Sequence, residues 1–468
     1  MAFKLLYCVF GPVTIPQRYI MIGMIQLAMV NAYHFRVVLN IAITEIIKPR
    51  NYTESVDACP NYVYETLEIK GGSYDWPVWI ESFILYSFYI GYSISHIPGG
   101  WLADKFGAKH VMGTCILVSS ILNLLYPLAI SKGGYRAAIV LGTFVGLFQG
   151  PLLPTITTFI QWWVPIKERA LLVSIAFGGS TLGTVTGNVF SGMIIKRTKS
   201  WPMAFYVWGI FGMVWYSFYV FMVYSKPRTH PFITEGELQM LDEQVEHRKS
   251  FKVPWVKILR SLPVWALVAG QAVHNYIFFT VMTDLPKYLK EILKVNVEKN
   301  GLATALPFLA LWISQILFAY FADYIVNNNI ISVLKARKLF TAFSAVVPAS
   351  VLVLVVYIGC NRTLVITLYT MALFLVGPFF SGMKVNLNDV TIHYGGTIAA
   401  IVSCIASTTG VWGPLVVGLL TPNSSLGEWQ RVFLIMLGVA ILLSIFYCVF
   451  ASAERQKWDY LDDEIDEN

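Results

Sequence analysis

The sequence predicts an all-α membrane protein of twelve transmembrane helices arranged as two six-helix pseudo-repeats. Three observations carry this reading. Of 468 residues, 56% are hydrophobic and only 13% charged, with a mean hydropathy of +0.61; an average soluble domain is about 45–50% apolar and about 25% charged. Twelve apolar runs each reach the length a bilayer demands, about 20 residues. Motifs in the first six runs recur in the last six. Composition alone excludes a soluble enzyme, a disulfide scaffold, a disordered chain and a coiled coil.

Spans 1 to 6 are read at 20–44, 77–101, 111–130, 137–163, 170–195 and 202–224, and spans 7 to 12 at 262–286, 302–326, 338–359, 362–386, 396–420 and 430–452. These lengths are helical, unlike the roughly ten-residue dyads of an outer-membrane barrel. Span 1 lacks a small-residue cleavage pattern and reads as retained, not as a signal peptide. The chain is divided into a first half (1–225), a linker (226–260), a second half (261–452) and an acidic tail (453–468). The stretch from Asp459 to Glu467 is expected to be solvated and disordered.

The formal charge is +7, but Lys and Arg are scattered over short loops. They read as membrane-flanking charge, and no nucleic-acid partner is expected. The six cysteines, at 8, 59, 115, 360, 404 and 448, form no CxxC and do not cluster with His. No metal site or disulfide framework is expected, although Cys59 and Cys360 fall on one side and leave a single bridge open. No zinc, nucleotide or triad motif occurs, so no enzyme and no cofactor are expected.

Sidedness follows from the linker, whose Lys226, Arg228, Arg248, Lys249, Lys252, Lys257 and Arg260 place it, and both termini, in the cytoplasm. Lys196, Arg197 and Lys199 vote the other way. Sequons at Asn51, Asn361 and Asn423 follow spans 1, 9 and 11, all on the opposite side. Asn51 has room for a glycan; Asn361 and Asn423 lie close to the membrane and are expected to stay unmodified.

The halves repeat each other. Leu102-Ala103-Asp104 ends span 2, and Phe321-Ala322-Asp323 ends span 8. Gly179-Ser180-Thr181-Leu182-Gly183 in span 5 is answered by Ala406-Ser407-Thr408-Thr409-Gly410 in span 11, and Gly187 and Gly192 by Gly413 and Gly418. Such repeats imply a carrier that rocks its halves about a midplane site. The glycines allow the close approach that helix packing in lipid uses.

Gly99-Gly100-Trp-Leu-Ala-Asp104-Lys105-Phe-Gly107-Ala-Lys109, after span 2, resembles the loop signature of the major facilitator superfamily. The resemblance implies that Asp104 caps and pairs across the cytoplasmic face and that Gly107 permits the tight turn, giving a gating set of Gly100, Asp104, Lys105, Gly107, Lys109 and Asp323. Further matches are Ile15-Pro-Gln-Arg18-Tyr, Arg36-Val-Val-Leu-Asn40, Trp163-Val-Pro-Ile-Lys-Glu168-Arg169, Thr229-His-Pro-Phe-Ile-Thr-Glu235, Asn386-Leu-Asn-Asp389 and Tyr394-Gly-Gly-Thr397. Together they resemble the anion/cation symporters that include sodium–phosphate cotransporters, sialin and the vesicular glutamate transporters. Gly382-Met-Lys384-Val-Asn386 and Gln149-Gly-Pro151 look most like the insect branch named for inorganic phosphate cotransport.

Arg36 lies mid-span, where insertion of a charge costs about 2.5–3.5 kcal/mol, so it should face a partner or a cavity. With Gln26, Tyr33, Asn40 and Thr44 it forms one polar stripe along span 1. The alternative is an Arg locked to a carboxylate in helix packing. The resemblance implies that an Arg at this place binds the anionic substrate. Lys384, with Asn386 and Asn388 nearby, is the second buried cation; it either clamps an anion from the opposite half or snorkels toward the interface. Gln271, His274, Asn275 and Phe278 share a face of span 7. His274 stands where the vesicular glutamate transporters carry an Arg, and either binds an anion, senses pH or is simply hydrogen-bonded.

In span 4 several family members place an Arg and a Glu where this chain has Gly142 and Gln149, and Gln149 cannot take up a proton. Leu85 replaces the glutamate transporters' span 2 His. Glu81 is either a coupling carboxylate or a solvated helix-start residue. Tyr86, Tyr89, Tyr276 and Trp312 are candidates for the cavity wall. The expected function is alternating-access transport of a small anion, with inorganic phosphate and sodium coupling first and organic anions (urate, sialate, acidic amino acids), proton coupling or a transport-poor sensor as alternatives. A monomer in the plasma membrane is expected, with a lysosomal or vesicular membrane as the alternative.

Overall fold

The computed structural model describes residues 15–47, 74–244, 253–293, 297–358, 361–421 and 425–460. Among these residues the secondary structure is helical, apart from one isolated bridge between Ile47 and Tyr74. Each predicted span is found: span 1 is Gln17–Ile46, span 2 Val78–Phe106, span 5 Arg169–Thr198, span 6 Trp201–Met222, span 7 Leu262–Glu291, span 8 Val297–Asn327, span 9 Val333–Ile358 and span 12 Leu426–Phe450. Ten helices among the described residues are long and apolar enough to cross a membrane, one of them (Ala108–Trp163) holding spans 3 and 4. Span 2 has the length but is not among the ten; Tyr86, Ser87, Tyr89, Tyr92, Ser93, Ser95 and His96 make it more polar.

Spans 3 and 4 follow each other across a turn, spans 4, 10 and 11 are broken helices, and the turn and the breaks in spans 4 and 10 have a chemical cause. Gly134, at φ +57°, reverses the chain between spans 3 and 4, a conformation that favours glycine. Gly150-Pro151 interrupts span 4 before Leu152–Trp163. Gly377-Pro378 interrupts span 10 between Arg362–Val376 and Met383–Asp389. Proline lacks the donor that a continuing helix needs, and the Gly-Pro pair recurs at the same place in each half. Span 11 breaks at Thr408, between Gly395–Ser407 and Thr409–Leu420. A capping box of Ser425 and Glu428 opens span 12. The Asn361 side chain caps the start of span 10 by accepting from the Leu364 amide at 3.2 Å. Asn51, Asn423, Cys59 and Cys360 lie outside the described residues.

Packing follows the repeat. Span 1 lies along span 5 and span 7 along span 11; span 2 lies against spans 3 and 4, and span 8 against span 10. A Cβ on Gly183 would stand 2.7 Å from the Val30 carbonyl oxygen, so glycine there lets spans 5 and 1 touch backbone to backbone. Gly192 has nothing within 4 Å of such a Cβ, so close approach does not explain it. The first six spans meet the last six where span 5 packs on span 8 and spans 2 and 4 pack on span 11.

The tail departs from expectation at its start. Asp459 is fully buried, not solvated. It accepts from Thr391 Oγ1 at 2.6 Å and from the amides of Ile392 (2.8 Å) and His393 (3.1 Å), and pairs with Arg455 Nε at 2.8 Å. Composition marked it as part of an acidic run, but three donors in one loop outbid water for its carboxylate.

Candidate functional site

A small cavity lies between the two sets of six spans. Spans 1, 2, 4 and 5 contribute Met29, Tyr33, Tyr92, Leu153, Phe177 and Ser180; spans 7, 10 and 11 contribute Gln271, His274, Asn275, Phe278, Phe279, Phe379, Phe380, Lys384, Ser403 and Ser407. Of the predicted substrate residues, Tyr33, His274, Asn275 and Lys384 therefore share one wall system.

Lys384 is 4% exposed and does not snorkel outward. Its Nζ donates to Gln271 Oε1 at 3.2 Å and lies 4.4 Å from the ring centroid of Phe177, across the interface. Gln271 in turn donates through Nε2 to Asn275 Oδ1 at 2.8 Å, which turns its carbonyl oxygen toward the lysine. His274 stacks on Phe379 with centroids 3.7 Å apart, and its buried Nδ1 has no hydrogen-bond partner.

Arg36 does not line the cavity in this state. Its guanidinium lies 4.7, 4.4 and 4.3 Å from the ring centroids of Tyr33, Phe88 and Tyr92, and Nε donates to Gln149 Oε1 at 3.3 Å. Desolvated cation–π contacts are worth about 2 kcal/mol or more, so the cage replaces some of the hydration that burial removes. Nη1 remains buried without a partner. Of the two span 4 residues that depart from the pattern the resemblance implies, Gly142 and Gln149, it is Gln149 that touches Arg36. Among the described residues, no carboxylate pairs with Arg36 or Lys384, so the alternative of an Arg locked to a carboxylate finds no partner there.

Other expectations are redistributed. Asn40 on span 1, Tyr86 on span 2, Tyr276 on span 7 and Trp312 on span 8 lie outside the cavity lining; Tyr89 flanks it, 5.3 Å from Phe279 centroid to centroid. Glu81 falls in span 2, but its side chain is outside the described residues, as is that of Thr44. Sequence reasoning missed Tyr92, Phe177, Ser180, Ser403, Ser407 and Phe379 as lining residues. Ser180 and Ser407 occupy equivalent places in the repeated small-residue motif, so the motif carried a signal that was read only as packing.

Toward the linker the cavity is closed by a latch. Asp104 accepts from Thr397 Oγ1 at 2.8 Å and Thr158 Oγ1 at 3.1 Å, at the N-terminus of the Gly395–Ser407 helix, where a negative charge is favoured. Asp323 occupies the mirrored place and accepts from the Leu171 amide at 2.9 Å, in the first turn of span 5. Gly100 sits where a Cβ would be 2.7 Å from the Gly396 carbonyl oxygen, and Gly107 adopts φ +92°. Lys109 donates its amide to Ser225 Oγ at 3.0 Å and lies over Tyr224, whereas Lys105 is exposed beside Trp101 and Phe106 and makes no described ion pair. Arg169 reaches Asp389 at 3.5 Å, and Asp389 also binds Arg337 at 2.9 Å. The bonds that join the two sets of spans at Asp104, Gln161, Lys167, Arg169, Leu171 and Thr181 lie level with the cavity or on its linker side.

Broken helices, a pseudo-repeat and a cationic midplane cavity closed on one face define a membrane transporter. The Major Facilitator Superfamily profile matches residues 58–403, and the chain belongs to that superfamily. It is 32% identical over 451 residues to a Drosophila ananassae protein named "Putative inorganic phosphate cotransporter", covering 93% of each chain. It is 35% identical to human sialin over 439 residues (91% of this chain, 87% of sialin) and 30% identical to human vesicular glutamate transporter 2 over 451 residues (95% and 75%). Within the superfamily it is therefore a member of this anion/cation transporter group, a multi-pass membrane protein and not an enzyme. The fold is similar to that of a bacterial homologue of the human lysosomal transporter Spinster, with TM-score 0.61 at 13% identity over 96% of this chain and 100% of that one. It is also similar to the fucose:proton symporter of E. coli, with TM-score 0.57 at 12% identity over 92% and 99%.

Proposed function

We propose that the protein is a secondary active transporter that carries a small organic monoanion across the membrane by alternating access, with the linker face cytoplasmic. The observation that supports this reading is the pairing of two carboxylate-free buried cations with an aromatic cavity. Lys384 supplies the accessible charge, and Arg36 stands in reserve behind Tyr33 and Tyr92. Phosphate, which the family resemblance puts first, presents oxygens in every direction and is strongly hydrated. Ser180, Gln271, Asn275, Ser403 and Ser407 supply polar groups on part of the wall, but Phe177, Phe278, Phe279, Phe379 and Phe380 cover the rest without donors. An anion hydrated on every side loses water there without replacement, which is costly. An organic anion such as urate places its charge on Lys384 and its body among the rings.

Alternating access then runs through the latch. With Asp104–Thr397 and Asp389–Arg169 made, the anion enters from the face away from the linker. Its charge draws Lys384 from Gln271 and Arg36 from the rings of Tyr33 and Tyr92, and rocking of the halves breaks the latch. A sodium ion or a proton is the coupling cation, and the protein resides in the plasma membrane or, as the name of its vesicular relative suggests, a vesicular one. Uptake of radiolabelled urate, sialate, glutamate and phosphate into proteoliposomes, under sodium and proton gradients imposed separately, tests this reading. Gradient-driven uptake of an organic anion with phosphate a poor competitor supports it; phosphate as the preferred cargo overturns it.

A further inference from the structure

Each six-span half is followed by a short segment whose buried acid folds back on the helices, Asp459 directly on a loop of the latch and Glu237 one step from such a loop, through Arg18. After span 6, the helix Glu235–Gln244 presents Glu237, 8% exposed. Its carboxylate accepts from the backbone amides of Gln17 (2.8 Å) and Arg18 (3.1 Å) at the start of span 1, and pairs with Arg18 at 3.4 Å. Arg18 passes the contact on to Glu168 at 3.1 Å, in the loop between spans 4 and 5. After span 12, Asp459 braces the loop between spans 10 and 11 through Thr391, Ile392 and His393, and the Gln456 amide donates to Val390 O at 3.1 Å.

Both braced loops are the ones the opposite half grips. Residues 389–397 receive Arg169 at Asp389, Gln161 at the Thr391 carbonyl (3.3 Å) and Asp104 at Thr397. Thr391 is held from both sides, its hydroxyl by Asp459 and its carbonyl by Gln161. The 4–5 loop and the start of span 5 likewise receive Asp389 at Arg169, Asp323 at the Leu171 amide and Asn327 at the Lys167 carbonyl (3.3 Å).

We propose that Asp459 and Glu237 are paired positioning residues, clasps that hold the 10–11 and 4–5 loops in the register the latch needs. Each clasp lies on the same half as the loop it holds, apart from the linker that supplies Glu237, so neither bridges the halves. It acts by pre-ordering the loop: a loop already fixed loses little entropy when the opposite half docks on it, and a loosened one charges that loss to latch closure. The clasps therefore bias the carrier toward the state closed on the linker face. This inference rests on the alternating-access reading and makes residues outside the twelve spans part of the gate.

Spin labels at His110→Cys and Lys335→Cys, both exposed at the linker-face ends of spans 3 and 9, report the distance between halves in the full chain with its six native cysteines replaced. Asp459→Asn removes the charge and at least one acceptor, and Glu237→Gln does the same in the first half. Each should raise the ratio of long to short distances about tenfold, the size expected for lost charge-assisted hydrogen bonds. Asp104→Asn is the positive control for latch opening, and thermal midpoints report folding separately. Should Asp459→Asn fail to fold, Thr391→Ser, which keeps the hydroxyl and its bond from the Tyr394 amide, serves as the control for Thr391→Val, which removes the clasp bond together with that one; both are judged by the same ratio. A distribution unchanged in the clasp variants but shifted by Asp104→Asn overturns the clasp alone. No shift in any of them, Asp104→Asn included, overturns the alternating-access gate itself.

Discussion

Asp104 and Thr397 lie 293 positions apart in sequence and share a 2.8 Å hydrogen bond. The carboxylate at the end of span 2 thereby sits on the amino end of span 11, and the mirrored Asp323 sits on span 5. Replacing Asp104 with Asn removes the charge from the helix end, an interaction worth about 0.3–2 kcal/mol. A cysteine at Ser403 should then react several-fold faster with a membrane-impermeant thiol reagent supplied from the linker side. An unchanged rate would mean that the latch does not close that face.

Gln149 accepts from Arg36 Nε at 3.3 Å. A Gln149→Glu substitution would give the guanidinium a carboxylate, and an ion pair already made competes with an anionic ligand. Anion affinity should fall about tenfold near neutral pH and recover partly in acid, as the new carboxyl is neutralised. Uptake curves at several pH values would show this. A pH-independent affinity equal to that of the parent would place Arg36 outside the anion's path.

Spans 1 and 5 make contact through Gly183, where a Cβ would meet Val30 O at 2.7 Å and Tyr33 Cβ at 2.9 Å. Backbone cannot give way as a flexible side chain can. Gly183→Val should cost about 1–3 kcal/mol or more, lowering the thermal midpoint in detergent. Gly192→Ala, with nothing within 4 Å, should stay within about 0.5 kcal/mol of the parent. Equal effects at the two sites would remove the close-packing explanation.

His230 lies in the linker between Trp163 and Tyr224, at ring-centroid distances of 5.6 and 4.7 Å. Burial lowers its proton affinity below the ordinary value, an effect only partly offset by the Met222 carbonyl and Glu237. The unfolded chain takes up that proton at about pH 6.5, whereas the folded linker resists it, so stability is present above that pH and lost as pH falls through it. His230→Gln should therefore narrow the gap between thermal midpoints at about pH 7.5 and about pH 5.5. A gap of unchanged width would show that His230 carries none of the acid sensitivity.

The spans were legible because lipid forces apolar runs of a fixed length, and the breaks at Gly134, Gly150-Pro151 and Gly377-Pro378 obey chemistry readable from single residues. Asp104 and Asp323 were legible as a repeat, and Lys384 and His274 as polar residues in apolar helices. The cage around Arg36 was not: Phe88 and Tyr92 come from span 2 and Gln149 from span 4, and no local period links them to span 1. Asp459 was hidden by its neighbours, since the acids that follow it read as solvent-facing. Its burial depends on a loop some 67 residues upstream. Ser180 and Ser407 were hidden inside a motif whose glycines invite only a packing interpretation.

Lys384 carries the central claim, because among the described residues it is the cation that both lines the cavity and meets the opposite half. The most direct measurement compares the saturation of urate uptake in proteoliposomes for the parent and Lys384→Gln, with phosphate as competitor. Loss of a charge-assisted contact should raise the half-saturation concentration about 10- to 100-fold, with phosphate competing weakly in the parent. Unchanged saturation in the variant, or uptake of phosphate with none of urate, would contradict the account.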